Sequence, residues 1–282
     1  MLFDTHLHLI YPERLSYPWL ADFAALNRPS TFDAYRVLAG RLGITGCLHM
    51  EVDVAESQIA AETDLVEELM ASEGSLMRGA ISSCRPESEG FAAFLEAARA
   101  RPAIKGFRRV LHVVDDDLST TPLFRDNVKR LSGTGLTFDL CVQPRQHGIA
   151  AALVDHCPDV TFILDHCGVP DIAGGTFEAW QAGMRALAER PNVVAKISGV
   201  VAYGDAERWS LADLRPYVEA TAEAFGPERL VWGSDSPVCN LGGGLPTWVA
   251  ATHALTAGWS AAERTALYAG NARRIWNLQG DE

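Results

Sequence analysis

No apolar run in this sequence approaches the roughly 18 residues that a membrane-spanning helix needs, which excludes a transmembrane helix. Lys/Arg-rich runs are also missing. The 24 basic side chains face 36 acidic ones, for a formal net charge of −12. Phosphate backbones bind basic faces, so a general nucleic-acid binder is excluded, although the sign of the field inside a pocket stays open. No CxxC pair occurs. The six cysteines (Cys47, Cys84, Cys141, Cys157, Cys167 and Cys239) lie mostly among apolar neighbours and read as reduced core thiols. The N-terminus has neither the basic start nor the long apolar core of a secretory signal, so a cytosolic location is expected. No Pro/Gly/Ser linker, internal repeat or shift of composition divides the chain, and residues 1–282 are expected to form one domain.

What is present is a regular alternation. Short β-rich runs at 2–8, 44–51, 76–83, 103–108, 136–143, 160–166, 193–198 and 230–235 alternate with segments rich in Ala, Leu, Glu and Arg. In those segments, such as 32–42, 56–71, 90–100, 122–131, 149–156, 177–189 and 211–225, apolar residues recur every three or four positions, which is the helical period. Ser30 or Thr31 can cap the first helix and Thr176 another, and 261–277 looks like closing helices. Eight β-then-α units in 282 residues predict an α/β fold, a single parallel (β/α)8 TIM barrel.

Polar residues gather where such a barrel places its chemistry, at the C-terminal strand ends. The predicted ends carry His6 and His8, His49 and Glu51, Ser83, Arg108, Gln143, His166, Ser198 and Asp235. Residues two apart on a strand share a face, so His6 and His8 can both enter the barrel mouth and grip one ion or one oxygen. Asp235 ends an apolar run and is followed by Ser236-Pro237. Barrel closure sets the last strand beside the first, bringing this carboxylate to the two histidines. An Asx-type turn would equally use such an aspartate. His166 suits either a site or a buried structural role. Arg108 is a candidate clamp for a carbonyl or anionic oxygen, and the sequence does not say whether it or Arg109 faces inward. Asp115-Asp116-Asp117 reads as a solvated loop, and Gly242-Gly243-Gly244 lacks the spacing of a phosphate loop.

Four motifs, in order along the chain, resemble the amidohydrolase superfamily: Asp4-Thr5-His6-Leu7-His8, Lys105-Gly106-Phe107-Arg108, Leu164-Asp165-His166-Cys167-Gly168 and Trp232-Gly233-Ser234-Asp235. With Tyr17-Pro18-Trp19-Leu20 and Gly270-Asn271-Ala272-Arg273-Arg274-Ile275-Trp276, they are similar to its lactonase branch, which includes sugar-acid lactonases, sulfomuconolactone hydrolase and pyrone-dicarboxylate lactonase. The resemblance implies roles for His6, His8, His166 and Asp235 at the ends of strands one, six and eight. It also has a departure. Where metal-binding relatives often carry a strand-five histidine or a carboxylated strand-four lysine, this chain has Gln143, and Lys105 lies three residues before the expected strand-four end. The implied metal set is therefore His6, His8 and Asp235, with Glu51 or His166 as additions. Catalysis with one divalent metal such as zinc and catalysis without metal are both compatible with the resemblance.

The expected activity is hydrolysis of a small-molecule lactone, with a sugar-acid lactone favoured. Asp235 would act as base for the attacking water, while His6, His8, His166 and Arg108, or a bound metal, would steady the oxyanion. Tyr17, Trp19, Glu51, His112, Gln143, Arg145 and Tyr203 are the expected substrate-pocket residues. A metal-dependent decarboxylase or amide hydrolase of the same superfamily, and a catalytically silent binding barrel, are the alternatives. Homo-oligomerisation is left open.

Overall fold

A computed structural model describes residues 1–205 and 208–278. Eight parallel strands follow one another around a single sheet in chain order: β1 (Leu2–Leu7), β2 (Ile44–Met50), β3 (Met77–Ser83), β4 (Ile104–Val110), β5 (Thr137–Cys141), β6 (Phe162–Leu164), β7 (Val193–Ile197) and β8 (Leu230–Trp232). The first seven crossovers carry the helices α1 (Phe32–Arg41), α2 (Ile59–Ala71), α3 (Phe91–Arg99), α4 (Pro122–Lys129), α5 (His147–His156), α6 (Phe177–Ala188) and α7 (Leu211–Phe225). After β8 come α8 (Leu245–Leu255), α9 (Ala261–Thr265) and α10 (Asn271–Ile275). This is the (β/α)8 barrel that the alternation predicts.

The ring closes between β8 and β1. Asp235 N donates to His6 O at 2.8 Å and His8 N to Ser236 O at 2.8 Å. Thr5 Oγ1 donates to Trp232 O at 2.9 Å. The buried Asp4 carboxylate ties the seam to α1, because Oδ1 accepts from Ser234 N at 2.7 Å while Oδ2 accepts from Tyr35 Oη at 2.7 Å. Of the expected caps, Thr31 accepts from Ala34 N, whereas the Thr176 side chain makes no cap bond.

Strand alternation sorts side chains into two cores. Outward residues such as Leu7, Cys47, Phe107, Phe138 and Ile197 pack against the helices. Inward residues Phe3, Leu48, Met50, Ile81, Ile163, Val194 and Val231 fill the lower barrel, where Ala269, Ala272 and Trp276 plug it from below. Two residues along β7 from Val194, the same inward face carries Lys196, so charge is layered directly above the apolar plug. All six cysteines are buried and free.

Several strand ends differ from expectation. β6 and β8 stop at Leu164 and Trp232 because the chain then turns through left-handed backbone, with φ of 53° at His166, 52° at Cys167 and 55° at Asp235. Such values are uncommon for residues with a Cβ and cost about 1–3 kcal/mol each. His166 and Asp235 are thus presented from strained turns above the sheet. β4 runs longer than expected, to Val110, and β5 ends at Cys141, which leaves Gln143 in the following turn.

Candidate active site

His6 and His8 project into the mouth of the barrel with their Nε2 atoms 3.2 Å apart. His8 Nδ1 lies 3.0 Å from Met50 O. A carbonyl only accepts, so that nitrogen carries the proton and Nε2 presents its lone pair. His6 Nδ1 faces Asp165 Oδ1 at 3.3 Å, and an N–H directed there leaves its Nε2 as a second lone pair. Burial pushes both imidazoles toward neutrality, His6 well below its ordinary range and His8 down to about 3. Asp235 Oδ1 completes the group, 3.5 Å from His8 Nε2 and 3.8 Å from His6 Nε2. Its Oδ2 has no hydrogen-bond partner, and burial raises this carboxyl from 3.8 to about 6.

Beneath this trio lies a buried ionic layer. Lys196 Nζ reaches Asp139 Oδ2 at 2.7 Å and Asp165 Oδ1 at 2.8 Å, with all three side chains fully buried. The same ammonium is 3.2 Å from His6 Nδ1. Burial acts to raise the Asp165 carboxyl, but the Lys196 charge and the contact with His6 outweigh it and hold the group well below the usual range. Burial raises Asp139 instead, and the Asp165 charge adds to the effect. Arg108, from β4, donates from Nε to Glu51 Oε1 at 2.6 Å and from Nη2 to Glu51 O at 2.9 Å. Its Nη1 makes longer contacts, 3.4 Å each, to Asp165 Oδ2 and His6 Nε2. Burial opposes the Arg108 charge, yet Glu51 and Asp165 hold its guanidinium firmly protonated.

His166 stands on the other side of Asp235, with Nδ1 2.9 Å from Ser198 Oγ and 3.7 Å from Asp235 Oδ2. Burial keeps it neutral. Gly199 lies against both residues. A Cβ there would come within 2.2 Å of Asp235 Oδ2 and 2.9 Å of His166 Nδ1, so only glycine lets the β7 loop approach so closely.

These groups form the floor of a cavity of about 460 Å³, a volume suited to a small molecule. Of the residues expected to form the site, His8, Trp19, Arg108, His112, His166, Tyr203 and Asp235 line it. His6 lies just beneath, behind His8. Others are placed elsewhere. Tyr17 is buried in the apolar cluster under the first loop, where its hydroxyl accepts from Tyr11 N. Glu51 is spent on Arg108. Gln143 caps the turn after β5 and donates to His112 O. Arg145 is half-exposed and pairs with Asp116, which answers the aspartate run as well. His49 points outward to Glu62. Arg109 also faces outward, to Glu87, so Arg108 is the inward arginine. The sequence reading missed Asp139, Asp165 and Lys196. Their signal was a lone charged residue within an apolar strand, as in Val193-Val194-Ala195-Lys196-Ile197.

With His6 Nδ1 protonated toward Asp165, three acceptors, one carboxylate oxygen and two imidazole lone pairs, converge, and Arg108 Nη1, 3.4 Å from His6 Nε2, is the donor beside them. Three such atoms repel one another unless a cation lies between them. Their separations are close to the roughly 3.3 Å between neighbouring ligands of a tetrahedral zinc bound at about 2.0–2.1 Å. His6, His8 and Asp235 are one of two groups among the described residues able to hold a metal, the other being His6, Asp165 and His166. The second already has Lys196 as its cation, so the first fits a metal better.

A sequence profile of the Amidohydrolase family matches residues 3–278. The chain is 28% identical over 295 aligned residues to L-fucono-1,5-lactonase of Burkholderia multivorans, covering 98% of this chain and 95% of that one. It is 27% identical over 246 residues to 4-sulfomuconolactone hydrolase of Rhizobium radiobacter, with 83% and 75% covered. An amidohydrolase from Burkholderia multivorans, crystallised with bound zinc, superposes with a TM-score of 0.89 at 26% identity, over 99% of this chain and all of that one.

Proposed function

The chain belongs to the amidohydrolase family, and from that premise we propose that residues 1–282 act as one hydrolase domain that opens a lactone by attack of water on the ring carbonyl. The observation that carries this reading is the convergence of His6, His8 and Asp235 on the floor of a cavity of small-molecule size. Relatives named as lactonases support the bond type.

Asp235 is the base. Its raised pKa makes it a better proton acceptor than an ordinary carboxylate while leaving it ionised at neutral pH. Water oxygen bonds to the carbonyl carbon as Asp235 takes one of its protons. The ring C–O bond then breaks, and Asp235 returns that proton to the departing alkoxide, releasing a hydroxy acid. His166, neutral and steadied by Ser198, faces the developing oxyanion together with Arg108. His6, His8 and Asp235 would hold a divalent metal, which when bound supplies carbonyl polarisation and a more acidic water. Asp165, itself held by Lys196, fixes the His6 ring from behind.

The test is a pH-indicator assay over a lactone panel, on metal-analysed protein before and after chelation. Asp235→Asn is expected to lower kcat by about 10²–10⁴-fold while leaving circular dichroism unchanged. Near-normal turnover by this variant overturns the assignment. Silence on every lactone, with zinc firmly bound, turns the reading to decarboxylation or amide hydrolysis.

A further inference from the structure

Above its polar floor the cavity wall changes character. Trp19, Phe23, Val113 and Leu241 line it, and the last three are exposed by 54%, 67% and 38%. Large apolar side chains left in water around one opening mark a surface built to meet an apolar ligand. The Trp19 indole N–H is already given to Val52 O at 2.8 Å, so its ring offers the cavity no donor. Phe23 packs edge-on against it with centroids 5.6 Å apart. Ile10, Leu26, Val52, Val110 and Val238 continue the wall.

Among the described residues, the polar groups beside this wall offer no free cation to an anion, and to a polyol they offer the Tyr203 hydroxyl, His112 and two carboxylates against a much larger apolar area. Asp22 and Asp53 are acidic, and Asp53 is engaged by Arg85. His112 is turned to Cys141 through Nδ1, and burial lowers its pKa to about 4, so it is neutral. Among the described lining residues the basic side chain is Arg108, which Glu51 and Asp165 hold at the floor beside the reacting carbonyl, away from any ring substituent. Arg145, the other candidate for an anionic substituent, is held by Asp116 away from the cavity. A sugar-acid lactone would bury hydroxyls against apolar walls, and a carboxylated or sulfonated one would bring its charge toward Asp22 and Asp53.

From this wall we infer that the lactone, on the reading that the protein hydrolyses one, is uncharged and carries an alkyl or aryl substituent held by Trp19, Phe23, Val113 and Leu241. The class is thus a hydrophobic lactone, not the sugar-acid lactone that the sequence favours.

Two measurements test this, and only one of them needs turnover. In the first, kcat/KM is compared for δ-valerolactone, its 5-pentyl homologue δ-decalactone, and glucono-1,5-lactone. The pentyl chain is expected to raise kcat/KM at least about tenfold, and the polyol is expected to fall about 100-fold or more below δ-decalactone. Phe23→Ser is expected to shrink the ratio of δ-decalactone to δ-valerolactone severalfold. Preference for glucono-1,5-lactone, or an unchanged ratio in Phe23→Ser, overturns the inference. In the second, the non-reacting lactams 2-piperidone, 6-pentyl-2-piperidone and glucono-1,5-lactam are titrated calorimetrically. Tighter binding of the pentyl lactam, about tenfold or more, supports the apolar assignment even if no lactone turns over, in which case hydrolysis alone is lost. Tightest binding of the hydroxylated lactam, or equal binding of all three, overturns it.

Discussion

Asp235 combines a strained φ of 55°, full burial and an oxygen without a hydrogen bond, and each of these costs stability at neutral pH. Its carboxyl is raised to about 6 from 3.8, so in the metal-free protein the native state takes up a proton before the unfolded state does. Above pH 6 both states are ionised and the native fold carries the full burial penalty. As pH falls from 6 toward 3.8 that penalty disappears. Asp235→Asn removes it at every pH. In chelated protein the variant is therefore expected to be about 1–3 kcal/mol more stable than the parent at pH 7.5, with the gap closing by pH 4. Urea unfolding at the two pH values reads this directly, and a variant less stable at pH 7.5 contradicts it. At this scale the sequence was most legible where two signals coincided, as at His6 and His8, whose spacing and strand position agree. It was least legible for loop side chains. No periodicity governs where Gln143 or Arg145 points, and each found a nearer partner than the cavity.

The strand-to-helix turns set the precision of the site. Gly199, two residues past β7, has a φ of 63° and lies tucked against Asp235 and His166. Gly199→Ala places a methyl group where the carboxylate stands. It is expected to lower kcat about 10–100-fold, since displacement by an ångström at a reacting group has an effect of that size, and to destabilise by about 1–3 kcal/mol. Paired kinetics and thermal unfolding check both, and an unperturbed kcat would show that the loop can yield without moving Asp235. The eight strands were legible because short apolar runs bounded by helical periods leave few alternatives. Their ends at β6 and β8 were not, because left-handed backbone at His166, Cys167 and Asp235 is imposed by tertiary packing against the intrinsic preference of those residues. Lys196 was missed for a related reason. A lysine in an apolar strand reads as solvent-facing until its partners, Asp139 on β5 and Asp165 just past β6, are known.

For the whole molecule, the decisive feature is that the three acceptors straddle the closing seam, with His6 on the first strand, His8 just past its end and Asp235 just past the last. A cation held among them ties β1 to β8. Zinc is therefore expected to raise the melting temperature of chelated protein by several degrees at saturating concentration. Differential scanning calorimetry is the readout, and the shift is expected to fall away in Asp235→Asn. Equal shifts in both proteins would place zinc elsewhere. None of the described helices is long and apolar enough to cross a membrane, as the absence of long apolar runs in the sequence implied.

The seam also imposes an order in time. The ribosome delivers His6 and His8 some 230 residues before their carboxylate partner, which follows the last of the eight strands. A nascent chain exposes the two imidazoles without the geometry that would let them share a metal, and acquires that geometry only when the last strand docks against the first. A cation held among the three would thus report closure of the barrel, which a chain cut short of Asp235 cannot achieve.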